Sequence, residues 1–138
     1  MRHLIQLSAL LAGLTGCQAQ APVAPASTSA ALAPDLAGDF DARGTEPFWS
    51  LQIRPTQLTL QRPDRPNLVI GNPGAQPGAD RVSWTLAGEP ALSVVILRGD
   101  CSDGMSDLAY RYRAEVTVGG ERLEGCAFRT AEPPAPPR

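Results

Sequence analysis

The chain has 138 residues, with twelve basic residues against fourteen acids, a formal net charge of −2, three cysteines and one histidine. That length bounds a single domain, and a balance so near neutral speaks against a nucleic-acid or acidic-substrate partner. The lone His3 lies in a segment expected to be removed, which excludes histidine-dependent catalysis and His-ligated zinc from the mature chain.

Met1-Arg2-His3 supplies a positive start, and Leu4 to Leu14 an apolar run too short for the roughly 20 residues of a bilayer span. The first sixteen residues therefore read as a signal peptide. Leu14-Thr15-Gly16-Cys17 resembles the lipobox of bacterial lipoproteins, in which small residues precede an acylated cysteine. The resemblance implies cleavage before Cys17, acylation of that residue (palmitate among the chains) and an anchored, non-spanning protein, since several acyl chains hold where one is marginal. Gln18 after the cysteine resembles lipoproteins passed to the outer membrane, facing the periplasm. Residues 17–37 are mostly Ala, Pro, Ser and Thr without apolar periodicity, and are expected to form a flexible tether.

Residues 38–131 carry short alternating segments between turn residues, the pattern of an all-β domain. Phe40–Gly44 is the first expected strand. Phe48–Arg54 places Trp49, Leu51 and Ile53 on one face, and Gln57–Gln61 returns with Leu58 and Leu60 inward. Asn67–Ile70 is a short strand, followed by a loop over Gly71–Asp80. Val82–Leu86 alternates again, and Ala91–Leu97 reads as the most buried strand. Tyr110–Val118 alternates most clearly, Gly119-Gly120 suits a two-residue turn with positive φ, and Arg122–Phe128 returns. A small antiparallel barrel or sandwich of seven to eight strands is expected. The proline-rich residues 132–138 read as a disordered tail.

The last hairpin raises a register question. A two-residue turn sets Val118 opposite Glu121 and Tyr112 opposite Ala127, but also Glu115 opposite Glu124, with Cys126 outward beside Arg113. A bulge at Gly125 would switch the face that Cys126 presents.

With Cys17 committed to lipid, Cys101 and Cys126 remain in an oxidising compartment and are expected to pair as the one disulfide. A free redox pair or thiolate metal site is the alternative, without CxxC spacing to favour it. The loop between strands holds Asp100, Ser102, Asp103, Gly104, Ser106 and Asp107. Acids and hydroxyls there suit a hard cation such as calcium, but the spacing does not fit an EF-hand. The reading adopted is a turn shaped by Asp and Ser side chains bonding backbone N–H groups, with Gly104 at positive φ. No metal or cofactor is expected.

Gly44-Thr45-Glu46-Pro47-Phe48-Trp49, then Cys101 to Asp107 with Tyr110, then Gly125-Cys126-Ala127 resemble a family of bacterial predicted lipoproteins or membrane proteins of unknown function. The resemblance spans about residues 40–127 and implies an envelope β-domain with paired cysteines, without an activity. Where that family often has proline after the tyrosine, Arg111 stands here. The candidate functional residues are Glu46, Trp49, Ser102, Asp103, Gly104, Ser106, Asp107 and Tyr110. Trp49 is expected in the core, whereas Glu46 either lies solvated at the rim or bonds amides of the cysteine loop.

Three function classes remain. The first is a monomeric, non-enzymatic binding module, inhibitor-like in scale, recognising an envelope protein, a glycan or a small ligand by its loops. The second is a structural or stress-related envelope lipoprotein without a discrete ligand. The third, ranked last, is an enzyme using Glu46 and an aspartate as a carboxylate pair.

Overall fold

A computed structural model describes residues 31–137. The expected signal peptide, Cys17 and the tether as far as residue 30 lie outside the described residues. After a single turn of 3-10 helix at Pro34–Leu36 come nine strands: β1 Phe40–Thr45, β2 Phe48–Ile53, β3 Gln57–Arg62, β4 Arg65–Gly71, β5 Gln76–Pro77, β6 Arg81–Leu86, β7 Leu92–Cys101, β8 Tyr110–Val118 and β9 Glu121–Arg129. They form one antiparallel sheet in the order β4-β3-β2-β1-β9-β8-β7-β6-β5. The protein is all-β with one disulfide. The count is nine because Gln76–Pro77, inside the expected 71–80 loop, pairs with β6 through Gln76–Ser83 and Pro77–Val82.

The two-residue period of the sequence is the period of burial. Along β8, Tyr110, Tyr112, Ala114, Val116 and Val118 are buried while Arg111 and Arg113 are exposed. Tyr112, Ala114, Val116 and Val118, with Phe40, Leu51, Ile53, Val94 and Ile96, fill the concave side of a curled sheet, whereas Tyr110 is buried outside this core. The curl brings β1 against β6, four places away in the strand order: the rings of Phe40 and Trp84 lie 6.4 Å apart, edge to face. Tyr112 meets Phe40 in the same manner at 5.4 Å. The half-barrel remains open, since β4 and β5 are its two ends.

The β8–β9 register is the expected one, running without interruption from Val118–Glu121 to Tyr112–Ala127. The bulge considered at Gly125 is therefore not in this ladder. It lies in the β7–β8 ladder, where the register shifts between Arg98 and Cys101 at Gly99, which has φ 149°. Gly125 is needed for close approach: a Cβ there would run into the Arg43 carbonyl and lie 2.9 Å from Trp49. The facing acids Glu115 and Glu124 share Arg122, at 3.3 and 2.9 Å, which relieves their repulsion.

Described residues from both segments expected to be disordered are held against the domain. Leu32 and Ala33 pack on the core, and Leu36 is 1% exposed. Asp35 is held by a two-pronged ion pair with Arg98 at 2.6 and 2.7 Å, and Tyr112 donates its hydroxyl hydrogen to the Asp35 carbonyl at 2.8 Å. Residues 32–36, expected to belong to the tether, thus belong to the domain. At the other end the tail is pinned to the start of β8, where the Ala109 N–H donates to the Ala135 carbonyl at 3.0 Å.

Candidate functional site

The three motifs singled out in the sequence converge on one end of the sheet. In β1 and β2 the turn Glu46-Pro47 puts Gly44 opposite Trp49 and Thr45 opposite Phe48. The Trp49 indole crosses to β9, donating from Nε1 to the Glu124 carbonyl at 3.3 Å. It lies so close over Gly44 that a Cβ on that residue would enter the ring and stand 2.6 Å from the Glu124 carbonyl oxygen. Gly44, Trp49 and Gly125 therefore form one packing unit: two bare backbone positions make the floor for one large ring.

On the opposite face of the same strands lies the cysteine unit. Strand alternation points Cys126 away from the core, beside Arg43 on β1 and Arg113 on β8. Yet Cys126 is 1% exposed, because it is bonded to Cys101 and covered by the loop that follows it. The two Cα atoms are 5.6 Å apart. Tyr110 and Phe128 join this satellite cluster with ring centroids 6.2 Å apart, and the Arg43 guanidinium stands over Phe128 at 5.3 Å.

Asp103 is the hub of the loop. Its Oδ1 accepts from the N–H groups of Met105 at 3.0 Å and Ser106 at 2.8 Å. Its Oδ2 accepts from the hydroxyls of Ser106 and Tyr110, each at 2.8 Å. Ser102 Oγ accepts from the Gly104 N–H at 3.2 Å, Ser106 Oγ from the Leu108 N–H at 3.3 Å, and Gly104 takes φ 70°. Four donors, the Ser106 and Met105 amides foremost, hold the Asp103 carboxyl well below the usual carboxylate range. Burial first, then the bond to Asp103, pushes the Tyr110 hydroxyl pKa upward. The loop acts as a clasp, and its central carboxylate is occupied by the loop itself.

The residues do not all share that role. Trp49 is in the core, as expected. Glu46 is exposed at the tip of the β1–β2 turn and makes no side-chain hydrogen bond or ion pair among the described residues. Asp107 is likewise exposed. Glu46 and Asp103 line one shallow groove of about 520 Å³ with Arg113, Glu115 and Glu124, but the Asp103 carboxylate is occupied by the loop. Sequence reasoning passed over Thr45, which donates from Oγ1 to the Asp103 carbonyl at 3.2 Å and ties the β1–β2 turn to the clasp. Its place inside the Gly44–Trp49 motif was the signal. It also passed over the exposed side chains of that end: Phe48 is 55% exposed and Met105 69%.

Fold and site together define a small all-β domain: one curled antiparallel sheet, its last strand fastened by a disulfide-anchored clasp. No family model, curated protein or solved structure matches the chain.

Proposed function

We propose that this chain is a lipid-anchored envelope module whose molecular role is binding rather than catalysis, and that its contact surface is the end formed by Glu46, Pro47, Phe48 and Met105. The observation that carries this is the exposure of two large apolar side chains, Phe48 at the start of β2 and Met105 in the loop after β7. Phe48 and Met105 are two of the three large apolar side chains most exposed among the described residues, and the Thr45–Asp103 bond holds their loops together. Large exposed apolar groups on rigid supports are what protein-binding surfaces use as anchors. Glu46 beside them supplies a free carboxylate for orientation. Support for the anchor comes from the Leu14–Cys17 lipobox, and support for the envelope family from the three motifs. The partner is accordingly a periplasm-facing protein, and the domain hangs from the outer membrane by the acyl chains on Cys17.

The occupied carboxylate of Asp103 weighs against a Glu46–Asp103 acid pair, since protonating or baring it would dismantle the clasp. The test is site-specific photo-crosslinking in intact cells, with a photoreactive side chain at Phe48 and, as control, at Thr85 on β6. A discrete adduct with another polypeptide from position 48 only, weakened by Met105→Ser, is expected. Equal adduct patterns from both positions would remove the proposed surface.

A further inference from the structure

The two ends of the sheet are guarded very differently. β5 is two residues long and contains Pro77, so it offers little to pair with. β4 is seven residues long, and from Asn67 to Asn72 (Asn-Leu-Val-Ile-Gly-Asn) it carries neither a charge nor a proline. Val69 stands in its middle, 55% exposed. Edge strands of stable monomers are usually blunted by charge, proline or bulges; here Arg65, Pro66 and a register shift against β3 lie at the start of β4, and none of these devices lies from Leu68 to Asn72.

The hydrogen bonding of β3 and β4 shows which backbone groups are left over among the described residues. The Asn72 N–H donates to the Thr56 carbonyl at 3.0 Å, and the register pairs Leu58 with Ile70 and Leu60 with Leu68. In an antiparallel ladder the hydrogen-bonded pairs alternate. Leu68, Ile70 and Asn72 therefore direct their backbone groups at β3, and Val69 and Gly71 direct theirs outward; Asn67 lies where the register shifts, and the alternation does not run through it. The stretch from Asn67 to Gly71 is centred on Val69 and bracketed by Pro66 and Pro73.

We propose that this edge pairs with the β4 edge of a second copy of the chain, antiparallel about a two-fold axis through Val69. Val69 then faces Val69 of the other copy, and Asn67 faces Gly71 twice. The central Val69 pair is of the hydrogen-bonded kind and adds about two bonds, and Gly71 of each copy offers its outward groups to the strand facing it. The seam sets no like charges opposite one another, and it carries Leu68 and Ile70, which are only partly buried in one copy, into the middle of a continuous sheet. A seam of two strands falls below the about 1,200 Å² of standard stable interfaces, so the dimer is weak and concentration-dependent. Anchoring in a membrane plane, if the lipobox reading holds, raises the effective concentration that favours it. This departs from the monomer expected from the sequence, and it is independent of the surface at Phe48.

The test uses the full chain in detergent. Sedimentation equilibrium over a range of concentrations is expected to show a monomer–dimer equilibrium for the wild type and a shift to monomer for Val69→Lys. In mild oxidant, Val69→Cys is expected to form a disulfide-linked homodimer, because Cα atoms of a hydrogen-bonded pair are about 5.5 Å apart. Gln61→Cys, exposed on β3 away from the seam, should remain monomeric. A wild type monomeric throughout, or Val69→Cys crosslinking no better than Gln61→Cys, overturns the proposal. A crosslink from Val69→Cys to a different polypeptide overturns it also, in favour of strand addition by a partner.

Discussion

Gly125 and Gly44 are the residues where the smallest change should do the most damage. A methyl on Gly125 is driven into the Arg43 carbonyl, and one on Gly44 into the Trp49 ring; in both cases backbone or a packed indole must yield. Gly125→Ala is expected to destabilise the domain by about 3 kcal/mol or more, at or beyond the upper end of ordinary overpacking. Gly71→Ala, with open space around the added carbon, is the control and should change stability little. Urea denaturation of the three proteins measures this. Asp103 sets a pH dependence at the same scale. Its carboxyl is held below the value of 3.8 of an unperturbed aspartate, so the unfolded chain takes up the proton first. The clasp's contribution is therefore complete above about pH 4 and is lost as pH falls toward the lower folded pKa. The melting-temperature gap between wild type and Asp103→Ala should be widest near neutrality and narrow in acid.

At the scale of elements, the clasp joins the end of β7 to β9 across 25 residues of chain. By the chain-entropy account such a loop is worth about 3–4 kcal/mol. The double variant Cys101→Ala, Cys126→Ala should lose roughly that amount in denaturant titrations. Elements with strong alternation were legible: Tyr112, Ala114, Val116 and Leu123 lie where the β8–β9 pattern put them, and the Gly119-Gly120 turn has φ 55° and 84°. The pairing of Cys101 with Cys126 was legible too, because the alternatives for two remaining cysteines were few. Three features were not. β5 is too short to show a period, and exists only because the loop after β4 passes beside β6. The docking of Leu36 depends on Arg98 and Tyr112, more than sixty residues away, holding Asp35. Gly125 carries two meanings in a strand, bulge or close approach, and only the position of Trp49 decides between them.

For the molecule as a whole, the concave side of the half-barrel is filled with side chains, so the proposed binding role falls to its rim and edges. The end bearing Phe48 and Met105 and the edge bearing Val69 are separate surfaces on this account. The first calls for a partner and the second for another copy. Both presuppose that the densest chemistry in the sequence, from Cys101 to Tyr110, is spent on holding the domain together. The direct measurement is calorimetric unfolding at neutral pH of wild type, Asp103→Ala and Asp107→Ala, each with its disulfide intact. Asp103 receives four hydrogen bonds and Asp107 is exposed. The expected result is a clearly lowered midpoint for Asp103→Ala and a wild-type midpoint for Asp107→Ala. Equal midpoints for all three would contradict the clasp and return the loop to the list of candidate active sites.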